Sequence, residues 1–289
     1  MRAVYSPRYE FSLPGHVWPT AKYRLILEQL RGAVDLVPPS PASWDDLALV
    51  HTAEYLDKLR SHRLTLGDLV TLELPWTPEL ADAFRLMVGG TCDAARLALD
   101  EGRAAHVGGG LHHAYAEHGE GFCPFNDIAV AIRVLQRDGK IARAAVVDCD
   151  VHHGNGTAAI FAHDPAVFTF SIHQQHNYPA HKPASSLDIG LEDGAGDARY
   201  LAALRGALPQ VIGSRPDLLV YVAGADPFEK DRLGALALTK EGLAERDEEV
   251  VAAAHAAGIP LALVLAGGYA ADVADTVDIQ AATVRALLR

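Results

Sequence analysis

Ala144-Ala145-Val146-Val147-Asp148-Cys149-Asp150-Val151-His152-His153-Gly154 is the stretch from which the rest of this chain can be read. It opens on an unbroken apolar run, the pattern of a strand buried on both faces rather than half-exposed. Two aspartates and two histidines follow at once, and a glycine closes the segment. Ionisable residues directly beyond a buried strand are what an α/β sheet offers a ligand, because such sheets bind in the crevice outside the carboxyl ends of their strands.

The same arrangement recurs outward from this point. Residues 104–107 lead into Gly108-Gly109-Gly110-Leu111-His112-His113, residues 218–222 into Ala223-Gly224-Ala225-Asp226, and residues 260–265 into Ala266-Gly267-Gly268-Tyr269. Further strand-like runs lie at 3–5 and 167–172. Stretches of helical period lie at 78–100, 127–136, 199–212, 240–257 and 273–288. This alternation predicts one α/β domain over residues 1–289, a three-layer parallel sheet with helices on both faces. In a parallel sheet all of these clusters open on one rim, and His, Asp and Tyr side chains meet there. Pro-rich Val37-Pro38-Pro39-Ser40-Pro41 reads as a rigid surface connection.

With 37 acidic against 25 basic residues the formal net charge is -12, which opposes non-specific binding to nucleic acid. The three cysteines, Cys92, Cys123 and Cys149, are too few and too odd in number for a disulfide framework. No apolar run approaches the roughly 20 residues of a membrane-spanning helix, and Met1 runs directly into a strand-like segment. The expectation is a cytoplasmic protein without a signal peptide or a membrane partner.

Asp150 and His152 are two residues apart, so in extended backbone they point to the same side and can share an ion. A carboxylate and an imidazole suit Zn²⁺, and Asp226 can supply a third ligand. Three protein ligands with an open fourth position mark a catalytic rather than a structural zinc site. Asp148, one alternation earlier, reads as the partner of a histidine's second ring nitrogen, as a further ligand, or as a contributor to a monovalent cation site.

His112 and His113 follow glycines that let the backbone turn sharply and approach a ligand closely. Imidazoles titrate near neutrality, so His113 is the candidate general base and acid, with His112 tuning or orienting beside it. Tyr269 after Gly267-Gly268 can donate a hydrogen bond to a carbonyl oxygen. His153, Asn155 and Asp127 read as residues that hold imidazoles or cap helices.

The stretches GGGLHH at 108–113, GFCPFND at 121–127, DCDVHHGNGT at 148–157, GAD at 224–226 and AGGY at 266–269 together resemble the histone deacetylase family, within the arginase–deacetylase fold. The segment AGADPFEKDRLGALALTKEGLAERDE at 223–248 is most similar to class IV and its bacterial relatives. The resemblance implies an eight-stranded parallel sheet and zinc, or Fe²⁺ in its place, on Asp150, His152 and Asp226. It puts His112 and His113 at the catalytic water and Tyr269 on the substrate carbonyl. Gly121 and Phe122 would lie along an acyl-lysine channel, and Asp148 and Ser171 at a K⁺ site. Asn155 stands where many class I members carry Asp, and Leu111 replaces an aromatic often found before the histidine pair. The 173–178 segment departs from the class I channel loop, leaving His173, His176 and Tyr178 as candidates for the mouth. The two-manganese arginase relatives need extra Asp ligands, but here Gly154 stands two residues after His152 and Asp226 is followed by Pro227-Phe228 with no second Asp, so one catalytic metal is expected.

The activity implied is removal of acetyl or longer acyl groups from lysine side chains of a peptide or protein. An acylated polyamine or other small amine is the alternative substrate, for which Glu117 and Glu120 are candidate acids. An inactive binding module is disfavoured by the intact set Asp150, His152, Asp226, His113 and Tyr269.

Overall fold

The computed structural model describes residues 1–289. Its strands are β1 (Arg2–Val4), β2 (Asp35–Val37), β3 (Arg103–His106), β4 (Ala144–Asp148), β5 (Val167–Gln174), β6 (Leu187–Leu191), β7 (Leu218–Val222) and β8 (Leu261–Val264). They form one eight-stranded sheet in the order β2-β1-β3-β8-β7-β4-β5-β6, and every pairing is parallel.

Strand periodicity builds the two cores. Along β4, Ala144 and Val146 face one cluster while Ala145 and Val147 face the other; β7 divides the same way, Leu218, Val220 and Val222 against Leu219 and Tyr221. The first face is covered by α5 (Pro78–Glu101) and α6 (Asp127–Arg137), the second by α1 (Lys22–Gln29), α8 (Asp197–Gly213), α9 (Lys240–Ala256) and α10 (Val273–Ala286). A strand buried on both sides needs apolar residues at every position, which is why the central strands carry continuous runs. The remaining helices, α2 (Trp44–Leu47), α3 (Ala53–Arg60), α4 (Leu66–Leu72) and α7 (Asn155–Phe161), are short. No helix is long and apolar enough to cross a membrane.

The longest helix shows how sequence sets its ends. Thr77 caps α5 through a hydrogen bond from the Leu80 amide, Pro78 occupies the first turn, and Gly102 closes it at φ 84°. Two strands had no counterpart among the apolar runs, β2 and β6. Both lie at the sheet's edges, and their residues are mostly half-buried or exposed. The Pro-rich connection begins at the end of β2.

Candidate active site

The loops after β3, β4, β7 and β8 converge at the carboxyl rim around a cavity of about 200 Å³. After β3 the backbone turns through Gly109 and Gly110 at φ +69° and +82°. A methyl group on Gly110 would stand 2.5 Å from the Ala266 side chain, so only glycine lets these loops touch. Asp127, the first residue of α6, clamps the turn by accepting from the amides of Gly110 (3.0 Å) and Leu111 (2.7 Å). His112 and His113 are thereby presented to the cavity.

Their second nitrogens are held differently. His112 Nδ1 meets Asp148 Oδ2 at 2.7 Å, whereas His113 Nδ1 meets Asn155 Oδ1 at 2.7 Å. Burial works against charge on His112, but Asp148 and Asp150 outweigh it and push its pKa up to about 9. Burial, reinforced by His112 and His152, drives His113 well below the usual imidazole range. Adjacent imidazoles thus divide into one that is charged and one that keeps a free lone pair, an arrangement suited to acid–base work.

Asp150, His152 and Asp226 bring ligand atoms within 4.8 Å of one another. His152 Nδ1 lies 3.0 Å from Asp150 Oδ1 and 3.4 Å from Asp226 Oδ2. The other oxygens anchor the group: Asp226 Oδ1 accepts from the Val151 amide at 2.9 Å, and Asp150 Oδ2 from the Gly267 amide at 2.9 Å. Asp226 Oδ2 is buried and has no hydrogen-bond partner. Burial, then the charge of Asp150, pushes Asp226 up to about 7. Two buried carboxylates on one imidazole, one with an orphaned oxygen, form a group that could hold a metal ion.

Tyr269 follows Gly268, whose φ is +145°, and its amide donates to Asp231 Oδ2 at 2.7 Å. Burial, then Asp150 and Asp226, keeps its hydroxyl pKa well above that of a free phenol, so it stays a donor. Beneath it Lys22 Nζ donates to Ala266 O at 3.0 Å, and burial lowers its pKa to about 8.

Gly121 and Phe122 form one wall, both at positive φ (+51° and +68°), with their amides bonded to the last turn of α4 through Thr71 O (3.2 Å) and Leu72 O (2.9 Å). Phe122 packs on Trp18 (centroids 6.3 Å apart), His16 (4.5 Å) and Tyr269 (6.1 Å). Tyr178 forms the opposite wall, its ring edge-on to His113 at 5.0 Å and to His152 at 6.1 Å.

Of the three mouth candidates only Tyr178 lines the cavity. His173 is turned away, buried against His153 with its Nδ1 3.0 Å from Ser171 Oγ, and His176 is exposed beside Glu192. His153, His173 and Asp188 also bring ligand atoms within 4.8 Å, but Asp188 and Ser171 already hold the two imidazoles as hydrogen-bond partners. Ser171 pairs in register with Asp148 across β4 and β5. Sequence reasoning missed Trp18, Lys22 and Glu73, which stand in no motif; Trp18 and Glu73 reach the site from distant loops and Lys22 from the first turn of α1. Besides Asp150, the carboxylate lining the cavity is Glu73, whereas Glu117 is exposed and Glu120 is engaged with Asn155 and Tyr178.

The profile described as "Histone deacetylase domain" matches residues 16–285. An uncharacterized protein of Picosynechococcus sp. is 40% identical over 95% of this chain and 94% of its own length. "Histone deacetylase 2" of Arabidopsis thaliana is 32% identical over 92% of this chain and 74% of its own. The crystal structure of the HDA15 HD domain superposes with a TM-score of 0.81 over 99% of this chain and 87% of its own, at 24% identity, a likeness of fold. Sheet, rim and sequence agree: this chain belongs to the histone deacetylase family, whose members are generally metal-dependent.

Proposed function

We propose that residues 1–289 act as one metal-dependent amidohydrolase that removes acetyl or longer acyl groups from lysine side chains. The observation that carries this reading is the convergence of Asp150, His152 and Asp226 beside His113 and Tyr269 at the floor of an aromatic-walled cavity.

Asp150, His152 and Asp226 would hold the metal, with zinc favoured by the carboxylate and imidazole donors and Fe²⁺ the alternative. When bound, the ion supplies Lewis-acid polarisation of the amide carbonyl and lowers the pKa of water. The residues do the rest. Tyr269, kept protonated, donates a hydrogen bond to the carbonyl oxygen as negative charge develops on it. His113 takes a proton from the attacking water and returns one to the departing nitrogen, so that amide plus water becomes amine plus carboxylic acid. His112, charged and held by Asp148, stabilises the anionic side of the reaction. Gly121, Phe122 and Tyr178 leave a narrow apolar slot that fits an alkyl stem and excludes bulk water. Asp148 and Ser171 are candidates for a K⁺ site.

An acylated small amine is the second substrate class, favoured by the Glu73 carboxylate in the cavity lining. The discriminating experiment measures free-amine release by zinc-loaded protein from lysine peptides carrying acetyl to myristoyl groups and from an acetylated polyamine, with His113→Ala as control. Hydrolysis of the peptides, lost in the control, supports the lysine deacylase. Turnover of the polyamine alone moves the function to small amines, and no turnover anywhere contradicts both.

A further inference from the structure

His113 depends on a neutral neighbour. Its Nδ1 meets Asn155 Oδ1 at 2.7 Å, and an amide brings no charge with which to orient or polarise an imidazole. The amide does not end the chain of contacts. Asn155 Nδ2 donates to Glu120 Oε1 at 2.8 Å, Tyr178 Oη donates to the same oxygen at 2.9 Å, and His118 Nε2 lies 3.2 Å from Oε2. Asn155 is fully buried, so its amide has no water to turn towards.

The directionality of these bonds decides the state of His113. An asparagine can present either its oxygen or its NH₂ to an imidazole, and the two ends are nearly the same shape. An ionised carboxylate only accepts. Glu120 therefore requires the NH₂ end and leaves the oxygen for His113. Facing a carbonyl oxygen, His113 Nδ1 must carry the ring proton, which leaves Nε2 with the lone pair a base needs. Burial disfavours charge on Glu120, but the hydrogen bonds from His118, Tyr178 and Asn155 outweigh it and hold the carboxyl below its usual range. The same carboxylate fixes the Tyr178 hydroxyl, and with it the ring that stands edge-on to His113 and His152.

We propose that Glu120 is a positioning residue of this site: acting through the Asn155 amide it sets the tautomer of His113, and through the Tyr178 hydroxyl it holds the channel wall. The proposal rests on His113 serving as the base.

Two variants and their combination test it. Glu120→Gln keeps the shape but offers both a donor and an acceptor, so the Asn155 amide loses its single orientation. The expected result is a kcat lower by about 10- to 100-fold, the range for loss of an outer partner, with KM changed far less. Asn155→Asp alone puts a second carboxylate against Glu120 and also lowers kcat. Combining Glu120→Gln with Asn155→Asp moves the carboxylate one link inward, where it accepts directly from His113 Nδ1 and from the side-chain amide introduced at position 120. In that double variant kcat returns to within a few-fold of the parent. If both residues only supported the fold, their losses would multiply in the double variant instead, and that result overturns the proposal. A second readout needs no turnover: ¹⁵N spectra of histidine-labelled, zinc-loaded protein should show His113 as the Nδ1–H tautomer, and a mixture in Glu120→Gln. An Nε2–H tautomer in the parent, or an unaltered spectrum in the variant, contradicts the role of Glu120. If the parent hydrolyses no amide, the deacylase reading falls while the spectra still decide this one.

Discussion

Asp226 Oδ2 lies 3.4 Å from His152 Nδ1, buried and without a hydrogen-bond partner, beside the second carboxylate of Asp150. Such a pair is costly alone and is relieved by a cation. Zinc should therefore raise the melting temperature of the protein, by an amount equivalent to about 2.7 kcal/mol at a hundredfold excess over Kd. Asp226→Asn should abolish most of that rise without lowering the melting temperature of the metal-free protein. Thermal scans with and without zinc check this, and an equal rise in the variant contradicts it.

Tyr269 supplies a donor and is no member of the carboxylate–imidazole set. Tyr269→Phe should lower kcat by about 10²–10³-fold, the loss seen when one oxyanion donor is removed, while metal content by elemental analysis stays unchanged. Unaltered turnover removes Tyr269 from the mechanism.

Gly121 carries the cavity wall past His113. A Cβ there would stand 2.8 Å from His113 Cδ2 and 2.9 Å from Tyr178 Oη, on a backbone at φ +51°. Gly121→Ala should cost about 1–3 kcal/mol of stability from the backbone conformation, together with a marked loss of kcat/KM. Urea unfolding and steady-state kinetics measure the two effects, and a variant that matches the parent in both shows that the wall can yield.

Two buried histidines outside the cavity make the fold sensitive to acid. His51 bridges Tyr115 O and the Asn126 amide, and burial lowers it to about 4; His106 bridges Thr91 and Tyr9, and burial lowers it to about 3. Their folded values lie below the unfolded value near 6.5, so the stability they contribute is complete above pH 6.5 and is lost as pH falls towards 4 and 3. Each should cost about 1.4 kcal/mol per pH unit across that window. Urea unfolding at pH 7.5 and 5.0 should show the drop, and His106→Gln should flatten it; equal slopes in parent and variant contradict the assignment.

The central strands were legible because burial on both faces writes an uninterrupted apolar run, as at Val146-Val147 and Leu218–Val222. The edge strands β2 and β6 carry no such run, since one side of each meets solvent or loop. The candidate metal and base residues stand directly beyond strands, so order along the chain predicted their meeting. Lys22 arrives from the start of α1, Glu73 and Trp18 from loops between other elements, and only the folded chain brings them to the rim. Glu120 reads in sequence as a candidate acid for an amine substrate, whereas its three hydrogen-bond partners come from residues 118, 155 and 178.

The most direct test of metal-dependent deacylation at this rim follows one sample through chelation and reconstitution, recording amine release from an acyl-lysine peptide beside bound metal. The Asp150, His152 and Asp226 set should bind about one equivalent of metal. Activity should be lost with the metal and recovered when zinc or Fe²⁺ is returned, but not recovered in Asp150→Asn. Full turnover by the metal-free protein would contradict metal-dependent deacylation.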